Sequence, residues 1–465
     1  MMMTTRLLAE HALLPQGWRD DVLLEWDADG VLSAVQAGYA APFDGERAAL
    51  VVPGMVNLHS HAFQRAMAGL TEYRANPIDS FWSWRTLMYR FASRLTPDIL
   101  RAVARQLYSE MLVAGYTSVC EFHYLHHDAN GKPYANAGEM SACLIEAAND
   151  AGIGLTLLPV MYQYSGFGAK APLDNQARFI NSPQWMLHLL HNLQSAHPQH
   201  AGLRYGVAPH SLRAVAPDSL RELLQGLHAF DRTAPVHIHI AEQVKEVEDS
   251  LAFCGARPVQ WLLDNIDVDA HWCLVHATHM TPEETLALAK SGAVAGICPS
   301  TEANLGDGIF NGAMYLEAGG TWGIGSDSHI CVDAFEELRL YEYSQRLLHR
   351  RRNVLAGGSD ESSGHVGADL YRAALHGGAQ ASGRPVKGLQ NGQCADFLVL
   401  DAAHPNLHGK RGETLADSLV FARHGASPVQ DVLSRGKWVV KNGQHPGHDA
   451  YGAEYRHAIR HLQDN

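Results

Sequence analysis

Eight short apolar runs, each of strand length, are the feature that most constrains how this chain can fold. Between most of them lie stretches with the apolar spacing of helices, at residues 97–114, 140–151, 219–230 and 282–291. Near-continuous apolar runs are typical of parallel strands buried on both faces, and eight such strands close a (β/α)8 barrel. An open doubly wound sheet is the alternative, but no GxGxxG turn follows the first run. In chain order the runs are VVPGMVNLH, YTSVCEFHY, IGLTLLPVM, LRYGVAPHS, APVHIHIAE, HWCLVHATH, GAVAGICPS and TWGIGSDS.

The two ends of the chain share a sequence pattern that differs from that of the eight runs. Both carry short apolar runs separated by Asp, Gly and Pro, which is typical of small antiparallel strands. We therefore expect both ends to form halves of one small β domain, with the barrel inserted between them. The expected boundaries are 1–52 and 385–450 for this discontinuous domain, 53–384 for the barrel and 451–465 for a C-terminal tail.

Composition narrows the possible surroundings and partners. Hydrophobic residues make up 46% of the 465 residues, which excludes disorder as the main state. Lys and Arg number 36 against 49 Asp and Glu, and a net charge of −13 argues against a nucleic-acid partner or an anionic membrane surface. Seven scattered cysteines without a CxxC pair, and no long apolar segment, lead us to expect a soluble cytoplasmic protein. The 28 histidines direct attention to metal ligation and proton transfer.

The ends of the runs are where a site is expected, because active-site groups of a barrel lie at the carboxyl ends of its strands. The first run ends in His59-Ser60-His61. Side chains at i and i+2 of a strand share a face, so the two imidazoles can share one metal ion. An HxH pair alone is a weak signal, since most such pairs are surface or core histidines.

The fifth run ends in HIHIAE and offers one more imidazole and a carboxylate. His239 lies nearer the strand end and is the expected ligand, whereas His237 lies one layer deeper and is expected to fill the barrel. Glu242 falls just past the strand, where its carboxylate could reach a metal-bound water. A solvated loop charge is the alternative interpretation of Glu242.

The sixth and eighth runs complete the set. His276 lies inside the sixth run, where a buried imidazole usually has a hydrogen-bond partner rather than a metal. Asp327 ends the eighth run with no Lys or Arg close in sequence, so its carboxylate needs a cation. His329 could be a fifth ligand, but we expect it to be a loop residue. Three His and one Asp suit a single Zn²⁺ with open positions for water. The fourth run offers no Lys that could bridge a second ion.

Longer segments extend this constellation: NLHSHAFQRAMAGL, DSFWSWRTLMYR, YTSVCEFHYLHHD, APHSLRAV, HIHIAEQ and CPSTEANLGDGIF. They closely resemble the formimidoylglutamate deiminase family, in the mononuclear deaminase branch of the amidohydrolase superfamily. The resemblance covers the whole chain and implies a distorted TIM barrel with a small β-sandwich domain built from both termini. It also implies a hydrolase of histidine degradation that converts N-formimidoyl-L-glutamate, a linear amidine, to N-formyl-L-glutamate and ammonia.

The resemblance implies a role for each candidate residue. Asp327 and His276 would take the proton of a metal-bound water and orient the hydroxide at the formimidoyl carbon. Glu242 would protonate the departing nitrogen, so that ammonia leaves. The ligands of one divalent ion, Zn²⁺, would be His59, His61, His239 and Asp327.

A substrate with two carboxylates suggests arginine partners, since a planar guanidinium binds a carboxylate with two hydrogen bonds. The candidates are Arg85, in the SFWSWR segment, and Arg213, three residues past His210. The family pattern adds Gln64, Tyr124 and His210 to the substrate pocket.

Two other functions remain open at this point. A nucleobase or aminotriazine deaminase of the same superfamily would share the metal ligands. Its pocket would bind a flat ring by aromatic stacking and amide contacts, and paired arginines are not expected in such a pocket. A non-catalytic scaffold would have lost ligands, and none of the four is missing. Relatives often form dimers, so we expect a homodimer.

Overall fold

The structure is a computed structural model that describes residues 5–73, 81–357 and 363–463, with the backbone alone for 81–83. Its strands are β1 (Thr5–Leu14), β2 (Gly17–Trp26), β3 (Leu32–Gln36), β4 (Glu46–Pro53), β5 (Met55–Ser60), β6 (Tyr116–His123), β7 (Gly154–Met161), β8 (Leu203–Tyr205), β9 (Ala208–Pro209), β10 (Val236–Ile240), β11 (Trp272–His276), β12 (Val294–Ile297), β13 (Thr321–Ile324), β14 (Phe397–Leu400), β15 (Val429–Ser434) and β16 (Lys437–Val440).

Strands β5 to β13 form the predicted barrel, and each of the eight apolar runs supplies one position in it. The strands pair in parallel as β5-β6-β7-β8 and as β10-β11-β12-β13, with β9 beside β7. Single backbone bridges join the two sheets, one between Val207 and Val236 and one between Ser60 and Asp327. These bridges close the barrel, so the open-sheet alternative is wrong and the distorted (β/α)8 prediction is confirmed.

The fourth strand position is the distorted one. It is split into β8 and β9 at Gly206, which approaches the neighbouring strand so closely that a Cβ there would lie 2.3 Å from the carbonyl oxygen of Pro235. Only glycine fits such an approach.

Helices follow the strands and cover the outside of the barrel. They are α1 (Phe81–Ala92), α2 (Pro97–Val113), α3 (Glu139–Ala151), α4 (Pro183–Ala196), α5 (Pro217–Phe230), α6 (Val244–Cys254), α7 (Pro258–Asn265), α8 (Pro282–Ser291), α9 (Pro299–Leu305), α10 (Gly312–Glu317), α11 (Ala334–His349), α12 (Val366–Ser382), α13 (Glu413–Phe421) and α14 (His448–Gln463). Many begin with proline at the first turn, where its missing N–H costs nothing. At α8, Thr281 and Glu284 add a capping box.

The terminal strands form one seven-stranded sheet in the order β16-β15-β14-β4-β1-β2-β3. This sheet folds over on itself. Trp26 of β2 and Phe397 of β14 are separated by two strands in the sheet order, yet their ring centroids lie 5.9 Å apart. Trp26 also donates from Nε1 to the carbonyl oxygen of Gly436, at 3.0 Å. The two halves of the sheet therefore face each other as a β-sandwich built from both termini, as predicted.

The last described helix is α14, which packs on α2; its Ala458 and Leu462 are buried. The expected start of a tail at residue 451 falls inside this helix, and the other domain boundaries stay predictions. In the described ranges, the helices are all too short or too polar to cross a bilayer.

Candidate metal centre and substrate pocket

The backbone turns sharply where β11 and β13 end. His276 and Asp327 have positive φ values of 68° and 48°. Residues with a Cβ adopt this left-handed region mainly where the surroundings impose it, often at functional sites. Gly325 packs so closely on β5 that a Cβ there would lie 2.8 Å from the Cβ of His59. This close contact brings Asp327 next to the end of β5.

Three imidazoles and one carboxylate converge at the mouth of the barrel. The Nε2 atom of His59 lies 3.1 Å from Nε2 of His61 and 3.0 Å from Nε2 of His239. The Oδ1 atom of Asp327 lies 3.5 Å from Nε2 of His59 and 3.4 Å from Nε2 of His61. The structure thus brings the four predicted ligands together, although they come from three distant parts of the sequence.

The protonation of these side chains fits a cation. The Nδ1 atoms of His61 and His239 lie 2.9 and 3.2 Å from backbone carbonyl oxygens, so each Nδ1–H is donated and each Nε2 keeps its lone pair. Burial lowers the pKa of all three histidines, that of His59 to about 3. Burial raises the pKa of Asp327, but the neighbouring imidazoles outweigh it and lower that pKa. Three nitrogens and one carboxylate oxygen form a donor set suited to Zn²⁺.

Glu242 and His276 lie beside the four ligands. Nε2 of His276 is 3.8 Å from Oδ2 of Asp327 and 3.9 Å from Oε1 of Glu242. Burial raises the pKa of Glu242, which favours the protonated carboxyl that a general acid requires. Burial alone would lower the pKa of His276, but the surrounding carboxylates raise it to about 10. The positive charge of a metal ion on Asp327 would oppose that effect and favour the neutral imidazole.

Glu302 is a site residue that the sequence did not reveal. Its Oε1 atom lies 3.2 Å from Nδ1 of His276 and accepts a hydrogen bond from the backbone nitrogen of Cys298 at 2.9 Å. The contact gives the Nδ1–H of His276 an acceptor and leaves Nε2 facing Asp327 and Glu242. In the sequence Glu302 lies two residues past the seventh run, which ends at Ser300, but nothing there connects this carboxylate with His276.

A cavity beside the ligands is lined by the five side chains predicted to bind substrate. Two of them form a pair, since Nε2 of Gln64 donates to the hydroxyl of Tyr124 at 2.9 Å. The Oε1 atom of Gln64 is buried and has no donor among the described residues. The five residues are Gln64, Arg85, Tyr124, His210 and Arg213, and the wall also includes Trp84, Met88, Tyr89, Tyr162 and Phe179.

The two arginines place positive charge on one part of this cavity. Arg85 donates to the hydroxyls of Tyr89 and Tyr162, at 2.5 and 3.1 Å. Arg213 is 8% exposed, and within the described part of the chain its Nε finds no hydrogen-bond acceptor; its nearest carboxylate oxygen, on Glu246, is 3.9 Å away. After burial, these two guanidinium groups are the main cause of the low pKa of His210.

The remaining histidines of interest lie outside the ligand cluster. His237 fills the barrel and its Nε2 contacts the carbonyl oxygen of Ala381 at 2.8 Å. His123 packs on His126, with ring centroids 5.3 Å apart. His329 lies in the segment after β13, yet it is fully buried and contacts two serine hydroxyls.

Comparisons with known proteins identify the family of the chain. Residues 50–439 match the amidohydrolase family, and residues 4–49 match the N-terminal domain of formimidoylglutamate deiminase HutF. The formimidoylglutamate deiminase of Pseudomonas aeruginosa is 50% identical over 98% of this chain and 99% of its own length.

Solved structures agree as well. An amidohydrolase from Brucella melitensis superposes with a TM-score of 0.92 at 50% identity, covering 98% of this chain and 99% of that one. A zinc-bound adenosine deaminase from Xanthomonas campestris is 20% identical with a TM-score of 0.78, covers 99% of both chains and shares the fold. The chain therefore belongs to the amidohydrolase family and, within it, to the formimidoylglutamate deiminases.

Proposed function

We propose that this chain hydrolyses N-formimidoyl-L-glutamate to N-formyl-L-glutamate and ammonia, a step of histidine degradation. Its 50% identity to the P. aeruginosa deiminase along nearly the whole chain supports this function, as does the match at the N-terminal domain. In the reaction the oxygen of water adds to the formimidoyl carbon. The bond from that carbon to the terminal nitrogen then breaks, and this nitrogen leaves as ammonia.

The metal site of this proposal consists of His59, His61, His239 and Asp327, and it holds one Zn²⁺. The converging lone pairs described above support it, and the zinc of the adenosine deaminase with the same fold supports the choice of ion. When bound, such an ion lowers the pKa of water toward about 7, so that a strong nucleophile exists at neutral pH.

Three side chains carry the protons. Asp327 and His276 accept the proton of the attacking water, and Glu302 holds His276 with Nε2 directed to this position. Glu242, whose pKa is raised by burial, donates a proton to the terminal nitrogen. Without that proton the leaving group would be an amide ion, which is far too basic to depart.

The cavity binds the remainder of the substrate. Arg85 and Arg213 pair with the two carboxylates, and the buried Oε1 of Gln64 accepts an N–H of the amidine. Tyr124 and His210 form the wall between these groups and the metal ligands.

The observation that carries the dicarboxylate assignment is the buried guanidinium of Arg213, whose Nε–H has no acceptor among the described residues although the Glu246 carboxylate lies 3.9 Å away. A buried N–H donor without an acceptor is costly, so we expect an acceptor of the substrate to meet it. Steady-state ammonia release from N-formimidoyl-L-glutamate, with the product identified as the formyl compound, tests the function. Zinc-loaded protein that releases no ammonia from this substrate would contradict it.

A nucleobase or aminotriazine deaminase is the second candidate, and the same assay separates the two. A neutral flat ring would leave the Nε–H of Arg213 without an acceptor among the described residues. We therefore expect little ammonia from cytosine, adenosine or melamine under conditions in which the dicarboxylate is turned over. The homodimer and the cytoplasmic location stay predictions, to be checked by light scattering and by fractionation of cells.

A further inference from the structure

Glu121 is a buried carboxylate on β6 that contacts the segment following β5. Its Oε1 accepts a hydrogen bond from the backbone nitrogen of Ala62 at 2.7 Å. Its Oε2 accepts from the hydroxyl of Ser60 at 2.6 Å and from that of Tyr108 at 3.1 Å. Since Ser60 precedes His61 and Ala62 follows it, one carboxylate holds the chain on both sides of a metal ligand.

The hydrogen bonds continue from Ser60 to the segment that carries Asp327. Nε2 of His329 lies 3.2 Å from the hydroxyl of Ser60, and its Nδ1 lies 2.9 Å from the hydroxyl of Ser326. The side-chain nitrogen of Asn57 donates to the same Ser326 hydroxyl at 2.6 Å. This connection could not be predicted from the sequence, because Ser60 and Ser326 lie more than 200 residues apart.

The chain of hydrogen bonds has one direction. An amide NH₂ only donates and a carboxylate only accepts, while a neutral imidazole has one N–H and one lone pair. Asn57 therefore donates to Ser326, and the Ser326 hydroxyl donates to Nδ1 of His329. The Nε2–H of His329 donates to Ser60, and the Ser60 hydroxyl donates to Glu121. Every polar group in this buried path is satisfied, which makes the path rigid.

We propose that Glu121 is a positioning residue for the metal centre, acting through Ser60, His329 and Ser326. The path touches the residue on either side of His61 and the residue before Asp327, so it fixes the spacing of ligands from β5 and β13. This inference rests on the metal site of the proposed function. It assigns Glu121 no contact with substrate or ion, and the effect of removing it is therefore a loss of metal affinity.

Zinc affinity, measured by competition with a chromogenic chelator, tests the inference. In Glu121→Gln the amide replaces one acceptor with a donor, which opposes the direction of the path at Ser60. Partners of metal ligands typically change metal affinity by about 10–100-fold, and we expect a loss in that range. With saturating zinc, most of the kcat should return. Glu337→Gln is the matched control, because Glu337 is equally buried and accepts two hydrogen bonds from Ser300 on α9.

The outcomes are distinguishable. Folded Glu121→Gln protein that binds zinc within threefold of the wild type, or an equal loss in Glu337→Gln, would overturn the inference. Should Glu121→Gln fail to fold, Ser326→Ala removes a link of the path without leaving a carboxylate unpaired, and unchanged zinc affinity there would overturn it equally. Wild-type protein that binds zinc but releases no ammonia from formimidoylglutamate would refute the proposed function and leave this inference standing.

Discussion

Replacing Arg213 with methionine removes a guanidinium and keeps much of its apolar stem, so it isolates the contribution of this group to substrate binding. The structure gives Arg213 no competing hydrogen-bond acceptor among the described residues, and its fork can offer two N–H donors to one carboxylate. Hydrogen bonds to charged groups contribute about 1.5–3 kcal/mol each, so two contribute about 3–6 kcal/mol. At about 1.36 kcal/mol per factor of ten, Arg213→Met should lower kcat/KM for formimidoylglutamate by roughly 10²–10⁴-fold.

The controls for this prediction use both the protein and the substrate. Arg213→Lys keeps a positive charge near Glu246 but loses the planar fork, so its kcat/KM should lie between those of the other two proteins. Two amidines that each lack one carboxylate should behave differently from each other. For the amidine that lacks the carboxylate bound by Arg213, the kcat/KM values of wild type and Arg213→Met should agree within about threefold. If Arg213→Met lowered kcat/KM equally for all three substrates, or by less than about fivefold for the dicarboxylate, Arg213 would not be a carboxylate-binding residue.

Further predictions concern the protons, the metal and stability. Glu242→Gln should lower kcat by at least about 10²-fold while one zinc per chain is retained, because the amide cannot protonate the leaving nitrogen. Glu302→Ala should lower kcat by about 10–100-fold at little change in KM, since His276 loses the acceptor for its Nδ1–H. Removing the metal with a chelator should abolish ammonia release and lower Tm, and one equivalent of zinc should restore both. Burial raises the pKa of Glu337 from 4.5 to about 8. The contribution of this carboxyl group to the free energy of unfolding is therefore fully present below about pH 4.5 and is lost as pH rises through 8. The Tm of Glu337→Gln relative to wild type should accordingly increase between pH 5 and 8.5.

The barrel could be predicted because parallel strands buried on both faces must be apolar along their whole length. That requirement leaves a pattern in the sequence that does not depend on distant contacts. The predicted helix at 282–291 coincides with the observed one, because Thr281, Pro282 and Glu284 mark its start locally. The split of the fourth strand was not visible, because it depends on how closely Gly206 approaches a neighbouring strand.

The same distinction explains what could be predicted of the site. His59, His61, His239 and Asp327 lie at or just past the carboxyl ends of strands, and the geometry of a barrel places all of these ends at one mouth. By contrast, Glu302 and His329 act through partners that the fold brings near, and no spacing in the sequence connects them. For His329, the position after a strand indicated a loop residue, whereas the structure buries it between two serine hydroxyls.

A crystal structure of the zinc-loaded protein with a non-hydrolysable dicarboxylate amidine analogue would show the metal ligands and the substrate contacts together. We predict one ion bound by His59, His61, His239 and Asp327, with the amidine carbon between that ion and Glu242. The guanidinium of Arg213 should bind one carboxylate of the analogue with two hydrogen bonds. Anomalous scattering from a metal elsewhere, or an analogue whose carboxylates point away from both Arg85 and Arg213, would contradict the account.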